Sequence, residues 1–462
     1  MKTTIKMSDM TLGNIKNVNY GSFNTNANFS NINKSNVVGF YGQNGSGKTA
    51  VVDAFKIIES LIENRELSQI GKRLVTYGKE NLWLQAKFIV ILENQKKLYL
   101  EYYVEISEKD SGYHVESEKL VYKEDEKGKR FKTLVQADSD TIYVRNQNIK
   151  TMRDEMKIQG LVSFHLSKKQ RKSLIFNSEM LPIYNEVFSK EEMQIFYALS
   201  IHFVQGLHII ENRNYGLLMA NILIPFNIFQ DEVKGIVPLS QSVDNKSAAI
   251  PKKIFDLLKR EVFPNINVVL PCIVPGLTIE INEIAEIHKG DGTKGIQFEL
   301  LSNRNGNRLP LNTESEGIIK IISMLSVLSA LFKETNVCVV VDELDAGVFE
   351  YLLGEVLKIV DESAKGQLIF TSHNLRIVEL LPTHSIWFTT TNSENRYVQL
   401  KHTSKTSNNR DVYIRSLQIK NQQEELYDKT DNFKIKRAFK KLARKGSHHE
   451  KQNSYSFGGR GH

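Results

Sequence analysis

Along this chain the apolar residues change period several times, and each change marks a different kind of element. The first apolar runs, in "MTLGNIKNVNY" (Met10 to Tyr20) and "NVVGFY" (Asn36 to Tyr41), read as strands either side of an Asn-rich turn region. From Thr49 to Asn64 the spacing lengthens, and Val52, Phe55, Ile58 and Ile62 recur with the period of a helix. Between Asn81 and Tyr122 alternation takes over in "LWLQAKFIVIL" and "KKLYLEYYVEI", which predicts antiparallel strands with a hairpin tip at Glu108 to His114. A charged stretch, Lys123 to Lys132, then crosses the surface. Residues from about Ile158 to Phe263 read as mainly helical. Ser189 and Glu192 stand at capping-box spacing, and Pro251 suits the first position of a helix reaching Phe263.

Strands return at Leu277, with a hairpin around Gly290-Asp291-Gly292. A long apolar helix, a strand, a second helix and a second strand follow, up to about Thr371. No internal repeat and no heptad seam longer than a few turns is present, so no long coiled-coil arm is expected. Composition changes this picture little. At 462 residues, 41% hydrophobic and 25% charged, the chain suits two or three globular domains, or one large domain with an insertion. No stretch approaches the roughly 18 apolar residues of a membrane span. The N-terminus has no apolar signal region, so a cytoplasmic protein is expected. Cys272 and Cys338 lie far apart in apolar runs and are expected as buried free thiols; no Cys/His spacing suggests a metal site. Charge does matter. The net charge is +8, and the end of the chain concentrates Lys434, Lys436, Arg437, Lys440, Lys441, Arg444, Lys445, Lys451 and Arg460, which attracts nucleic acid or an acidic partner.

The chemistry is carried by short motifs at the ends of predicted strands. Gly42 to Thr49 reads GQNGSGKT, a P-loop pattern between the strand ending at Tyr41 and the helix opening at Thr49. Its glycines, Gly42, Gly45 and Gly47, allow a tight turn, so that N–H groups of the loop, Asn44 and Ser46 included, wrap phosphate oxygens. Lys48 would reach the β- and γ-phosphates and Thr49 would sit on Mg²⁺. The chain is therefore expected to bind a nucleoside triphosphate. "NVCVVVDELDAG" (Asn336 to Gly347) is an apolar run without alternation, as a central parallel strand should be, and it ends in two acids. Asp342 is placed to hold Mg²⁺, and Glu343 to act as the general base for the attacking water. "GQLIFTSHN" (Gly366 to Asn374) repeats the pattern and places His373 where a γ-phosphate sensor would stand. Ser315 and Gly317 open the apolar helix of "NTESEGIIKIISMLSVLSALF", an N-terminus suited to an anion.

In this order the motifs resemble the ABC-type ATPase heads, over roughly residues 5 to 60 and 277 to 390. "NIKNVNYGSF", "ESEGIIK" and "DELDAG" make the chain most similar to bacterial AAA-family ATPases of the overcoming-lysogenization-defect and abortive-infection type, relatives of SMC and RecF. The resemblance implies an α/β P-loop NTPase of ABC-type head fold, with a mixed sheet and a mainly helical insertion. Its parts would be an N-terminal lobe over 1–135, the insertion over 136–276, a C-terminal lobe over 277–400 and a basic segment over 401–462. It also implies that two heads sandwich two ATP molecules. Ser315 and Gly317 of one chain would meet the γ-phosphate held by Lys48 of the other, with Asp345 acting across the dimer. The signature departs from the LSGGQ of transporters, and no glutamine can be assigned to a Q-loop.

A transporter motor is excluded by that signature and by the long insertion. An arm-less repair ATPase of the SMC or RecF kind, binding DNA directly, is the alternative reading. The favoured one is the sensor or regulatory ATPase of an anti-phage defence system. Fewer residues follow His373 than a Toprim nuclease needs, and they are basic. The nuclease or toxin effector is therefore expected on a separately encoded chain, docked by the basic C-terminal segment, which alternatively holds nucleic acid.

Overall fold

The computed structural model describes residues 2–67, 73–109, 112–210, 223–228, 233–238, 249–288, 294–399, 426, 431 and 433–439. Nine strands come first: β1 (Thr4–Ile15), β2 (Val18–Asn24), β3 (Asn36–Tyr41), β4 (Asn81–Ile91), β5 (Lys97–Lys109), β6 (Gly112–Glu124), β7 (Lys132–Ala137), β8 (Ile142–Val144) and β9 (Gln147–Asn148). All but β3 form one antiparallel sheet in the order β2-β1-β4-β5-β6-β7-β8-β9. The alternation is real: Leu98, Leu100, Tyr102, Val104 and Ile106 of β5 are buried, and the residues between them are not. The tip expected at Glu108 to His114 lies between Lys109 and its partner Gly112.

The second large sheet has the order β10-β17-β18-β3-β19-β20, with β10 (Leu207–Ile210), β17 (Cys338–Val341), β18 (Gln367–Ser372), β19 (Ile386–Thr389) and β20 (Tyr397–Val398). Its first five strands run parallel, and β20 pairs antiparallel to β19. Every residue of β3, β17, β18 and β19 is buried, as an unbroken apolar run in a strand covered on both faces requires. Tyr41 pairs with Ser372, and Val341 with Phe370, so the three motif-bearing loops leave one edge side by side. Helix α1 (Lys48–Ile62) is buried nearly all round and joins β1 and β4 of the antiparallel sheet in a single core. The two sheets are also stitched by polar contacts. Gln367 Oε1 accepts from Met7 N–H at 2.8 Å and Gln367 Nε2 donates to Met7 O at 2.8 Å. Lys6 Nζ donates to Lys34 O, Asn36 Oδ1 and Lys365 O. Burial pulls the Lys6 pKa down to about 7, yet three oxygen acceptors suit the ammonium form.

The middle of the chain is less purely helical than its periodicity predicts. Helices α2 (Asp154–Gln170), α3 (Leu181–Val187) and α4 (Lys190–Tyr197) are present, and the Ser189–Glu192 capping box forms as expected. However, β10 is an edge strand of the parallel sheet, and β11 (Leu223–Ile228) and β12 (Val233–Pro238) form a hairpin. A strand of four residues is too short to show a period of its own. Pro251 precedes α5 (Lys252–Leu257), pairing in the short strand β13 (Ile250–Pro251), and α6 (Phe263–Ile273) follows. The hairpin expected around Gly290-Asp291-Gly292 exists as β14 (Leu277–His288) and β15 (Lys294–Arg304), with its tip outside the described residues. The edge strand β16 (Asn307–Pro310) pairs with β15.

Three helices complete the C-terminal half: α7 (Glu316–Lys333), α8 (Glu350–Ser363) and α9 (Leu375–Leu380). Of the two thiols expected to be buried, Cys338 is buried and Cys272 is exposed. Cys272 lies near the end of α6, where Val268 and Val269 are exposed too, so its apolar run did not mean burial. Residues 433–439 form a short helix, α10, exposed along its length. Phe433, Ile435 and Phe439 are uncovered on it, beside Lys434, Lys436 and Arg437.

Candidate functional site

At the end of β3 the backbone must turn from strand to helix within a few residues. Gly47 is the N-cap of α1 and takes φ 94°, a left-handed conformation that a side chain would resist. Gly42 is needed for space: a Cβ there would lie 1.7 Å from Thr389 Oγ1. Lys48 folds back over the loop, and its Nζ donates to Gly42 O at 2.8 Å and Gln43 O at 2.9 Å. Burial pulls the Lys48 pKa down to about 8, against the attraction of Asp342, Glu343 and Asp345. Asn44, Gly45 and Thr49 are exposed, whereas Ser46 is buried with its hydroxyl on Gln43 O at 2.7 Å.

One strand separates the P-loop strand from the acid-bearing strand, and Thr371 uses that position. Its hydroxyl donates to Asp342 Oδ1 at 2.6 Å and accepts from Glu343 N–H at 2.7 Å. Asp342 N–H in turn donates to Ile210 O at 2.9 Å, so the overlooked strand β10 buttresses the metal-ligand candidate. Burial pushes the Asp342 carboxyl upward, and the Thr371 hydroxyl opposes it. Glu343 has φ 49°, the left-handed region that costs a non-glycine residue roughly 1–2 kcal/mol. That turn takes the chain out of β17 at the residue expected to act as base.

Asp345 Oδ2 accepts from His373 N–H at 3.1 Å. Its other oxygen, Oδ1, is buried without a hydrogen-bond partner among the described residues. His373 is exposed, and burial of part of its ring together with nearby Lys48 lowers its pKa. P-loop, Asp342, Glu343, Asp345 and His373 thus share one electrostatic neighbourhood, as their strand positions lead one to expect.

Gly317, in the first turn of α7, packs against the loop that follows Glu343. A Cβ on Gly317 would come within 2.8 Å of Gly347 O. Ser315 is the N-cap of α7 but makes no side-chain capping bond, so its hydroxyl remains for another acceptor. Five residues on, Lys320 Nζ donates to Ala346 O and, at 3.4 Å, to Glu343 O. Burial holds the Lys320 pKa near 8. Lys320 and Thr371 were visible in "EGIIK" and "TSH", but only the pairing of β18 beside β17 and the packing of α7 on the loop after Glu343 reveal that they brace that loop.

A protein-family profile described as "AAA domain, putative AbiEii toxin, Type IV TA system" matches residues 37–379. That span is most of the chain and includes the P-loop and the ESEGIIK, DELDAG and TSH motifs, so the protein belongs to this family and is an AAA-domain ATPase. No match is found among curated proteins. Solved structures similar to it include an SMC head bound to the C-winged helix domain of ScpA, at 11% identity. The likeness covers 85% of this chain and 98% of that one, with a TM-score of 0.43. The SMC head domain from Thermotoga maritima shows 12% identity, coverage of 86% and 100%, and a TM-score of 0.37. The recombination mediator RecF shows 11% identity, coverage of 86% and 99%, and a TM-score of 0.38. Likenesses this distant say nothing about residue roles. Among the described residues no helix is long and apolar enough to cross a membrane.

Proposed function

We propose that this chain is an ABC-type ATPase that hydrolyses ATP between two heads. The observation that carries the reading is the division of the site within one chain. Lys48 lies in the field of Asp342, Glu343 and Asp345, while Gly317, in the first turn of α7, packs against Gly347 of the loop beyond Glu343, an edge suited to a partner's nucleotide. Lys48 holds the β/γ-phosphate charge, with the N–H groups of Asn44 to Thr49 around it. The exposed Thr49 and the buried, Thr371-oriented Asp342 would hold Mg²⁺ through hydroxyl and carboxylate oxygens. When bound, Mg²⁺ neutralises charge on the β- and γ-phosphate oxygens.

Glu343 takes the proton of the attacking water as its oxygen bonds to the γ-phosphorus, and the bridging bond to ADP breaks. His373, whose pKa partial burial and nearby Lys48 lower, would contact the γ-phosphate. Asp345, half-buried beside His373, stands on the side that faces the partner head. The biological role is that of a cytoplasmic regulatory or sensor subunit in anti-phage defence, acting on a separately encoded nuclease or toxin. The family description, with its abortive-infection toxin, supports this context. The uncovered apolar side chains and cations of α10 suit docking of that effector or of nucleic acid. Phage plating on cells carrying the gene with its neighbours is the test. Protection lost on Glu343→Gln is expected; equal plating with and without the wild-type genes would contradict the defence role.

A further inference from the structure

The phosphate loop is held from behind by residues near the other end of the described chain. Tyr397 Oη donates to Gly47 O at 2.9 Å. Thr389 Oγ1 lies 2.5 Å from Ser46 Oγ and donates to Tyr41 O at 3.2 Å. Asn17 Nδ2, in the turn between β1 and β2, donates to Gly45 O. Asn17 O is itself fixed by Arg396 Nη2 at 2.5 Å, and Arg396 Nη1 donates to Thr390 O at 2.6 Å. Thr389, Arg396 and Tyr397 are all buried, and the Tyr397 ring packs edge-on against Phe40 at 5.3 Å and Phe23 at 6.1 Å. Burial drives the Tyr397 phenol upward, so it stays a protonated donor.

In a trans peptide the carbonyl of one residue and the N–H of the next point to opposite sides. Tethering Gly47 O on the rear side therefore turns the N–H of Lys48 toward the front, while the Ser46 N–H, opposite the tethered Gly45 O, donates to Gln43 O at 3.4 Å. A nest of N–H groups binds phosphate only while those groups converge, and the glycines that permit the turn also permit others. The loop's own sequence supplies flexibility, and the support must come from outside it.

We propose that the β19–β20 hairpin is the rear support of the phosphate loop, with Tyr397 and Thr389 as positioning residues that keep its N–H groups aimed at the triphosphate. The inference rests on the nucleotide-site reading above. Its test uses the full chain with a fluorescent ATP analogue and a thermal melt without nucleotide. Tyr397→Phe removes one hydroxyl and keeps the ring; loss of one such bond predicts about five- to tenfold weaker binding, with kcat at saturation within about twofold. Thr389→Val should weaken binding similarly, and Thr389→Ser, which keeps the hydroxyl, should restore it, while the two melt alike. Wild-type affinity in both Tyr397→Phe and Thr389→Val, with Lys48→Ala still losing nucleotide, would overturn the support. Loss by Thr389→Val and Thr389→Ser alike would also overturn it, marking a packing role. Unchanged affinity in Lys48→Ala would instead remove the nucleotide site itself.

Discussion

The two large sheets bury polar groups in opposite ways. In the antiparallel sheet Glu118 of β6 is wholly buried, and it makes no ion pair among the described residues. Its oxygens accept from Tyr102 Oη at 2.6 Å, Ser173 Oγ at 2.9 and 3.0 Å, and the N–H groups of Leu174 and Ile175. Burial raises its pKa and these donors pull it down. Its hydrogen bonds join it to Tyr102 of the neighbouring strand and tie the sheet to the segment after α2. At the edge of the parallel sheet Asp342 accepts from the Thr371 hydroxyl, and Asp345 Oδ1 has no hydrogen-bond partner among the described residues. The contrast separates a structural carboxylate from a candidate ligand-binding one: the first is satisfied by its own chain, the second waits for something else.

Substitutions should divide along the same line. At the parallel-sheet edge, Lys48→Ala should weaken ATP binding by two to three orders of magnitude, the cost of removing a partly buried charge partner. Glu343→Gln should bind ATP like the wild type and not turn it over. Nucleotide titration with a phosphate-release assay distinguishes them, and equal loss of affinity in both variants would deny Glu343 the role of base. Thr371→Val keeps shape and removes the bridge between Asp342 and Glu343 N–H. With hydrogen bonds to charged groups worth about 1.5–3 kcal/mol, kcat should fall about 10- to 100-fold with little change in ATP affinity.

In the antiparallel sheet the expectation reverses. Glu118→Ala should cost about 3–5 kcal/mol of stability by stranding several buried donors, and Glu118→Gln less. At low temperature, where the variant is folded, its ATP turnover should match the wild type; a kcat defect there would break the comparison. The smallest effect expected is one of pH. The Lys48 pKa near 8 lies below that of a free lysine and should rise when phosphate binds. Below pH 8 both states are protonated and affinity is flat. Above it, binding must take up a proton, so affinity should fall by up to about tenfold per pH unit. An affinity flat from pH 7 to 9.5 would mean that Lys48 stays charged without nucleotide.

What the sequence made legible follows the same physics. GQNGSGKT, VVVDE and TSH are contiguous, and strands buried on both faces announce themselves as unbroken apolar runs, so the site edge could be read directly. The long alternating strands β4 to β6 were equally plain. Strand β10 escaped because four residues have no period, and with it went the Ile210 support of Asp342. Tyr397 and Arg396 escaped for another reason: β20 has two residues and no motif, and their meaning lies in contacts to a loop some 350 positions earlier. Glu118 looked like one more charge on an alternating strand, since its donors come from a segment that the pattern of β6 cannot show.

The central claim is that one chain holds two halves of different sites, its own P-loop and the Ser315–Gly317 edge meant for a partner. The most direct measurement is the light-scattering mass of Glu343→Gln with and without ATP and Mg²⁺. The account predicts a 52.9 kDa chain that doubles in mass when ATP is bound and cannot be hydrolysed, and reverts with ADP. A mass unchanged by ATP, together with a wild-type hydrolysis rate per chain that does not depend on protein concentration, would contradict it.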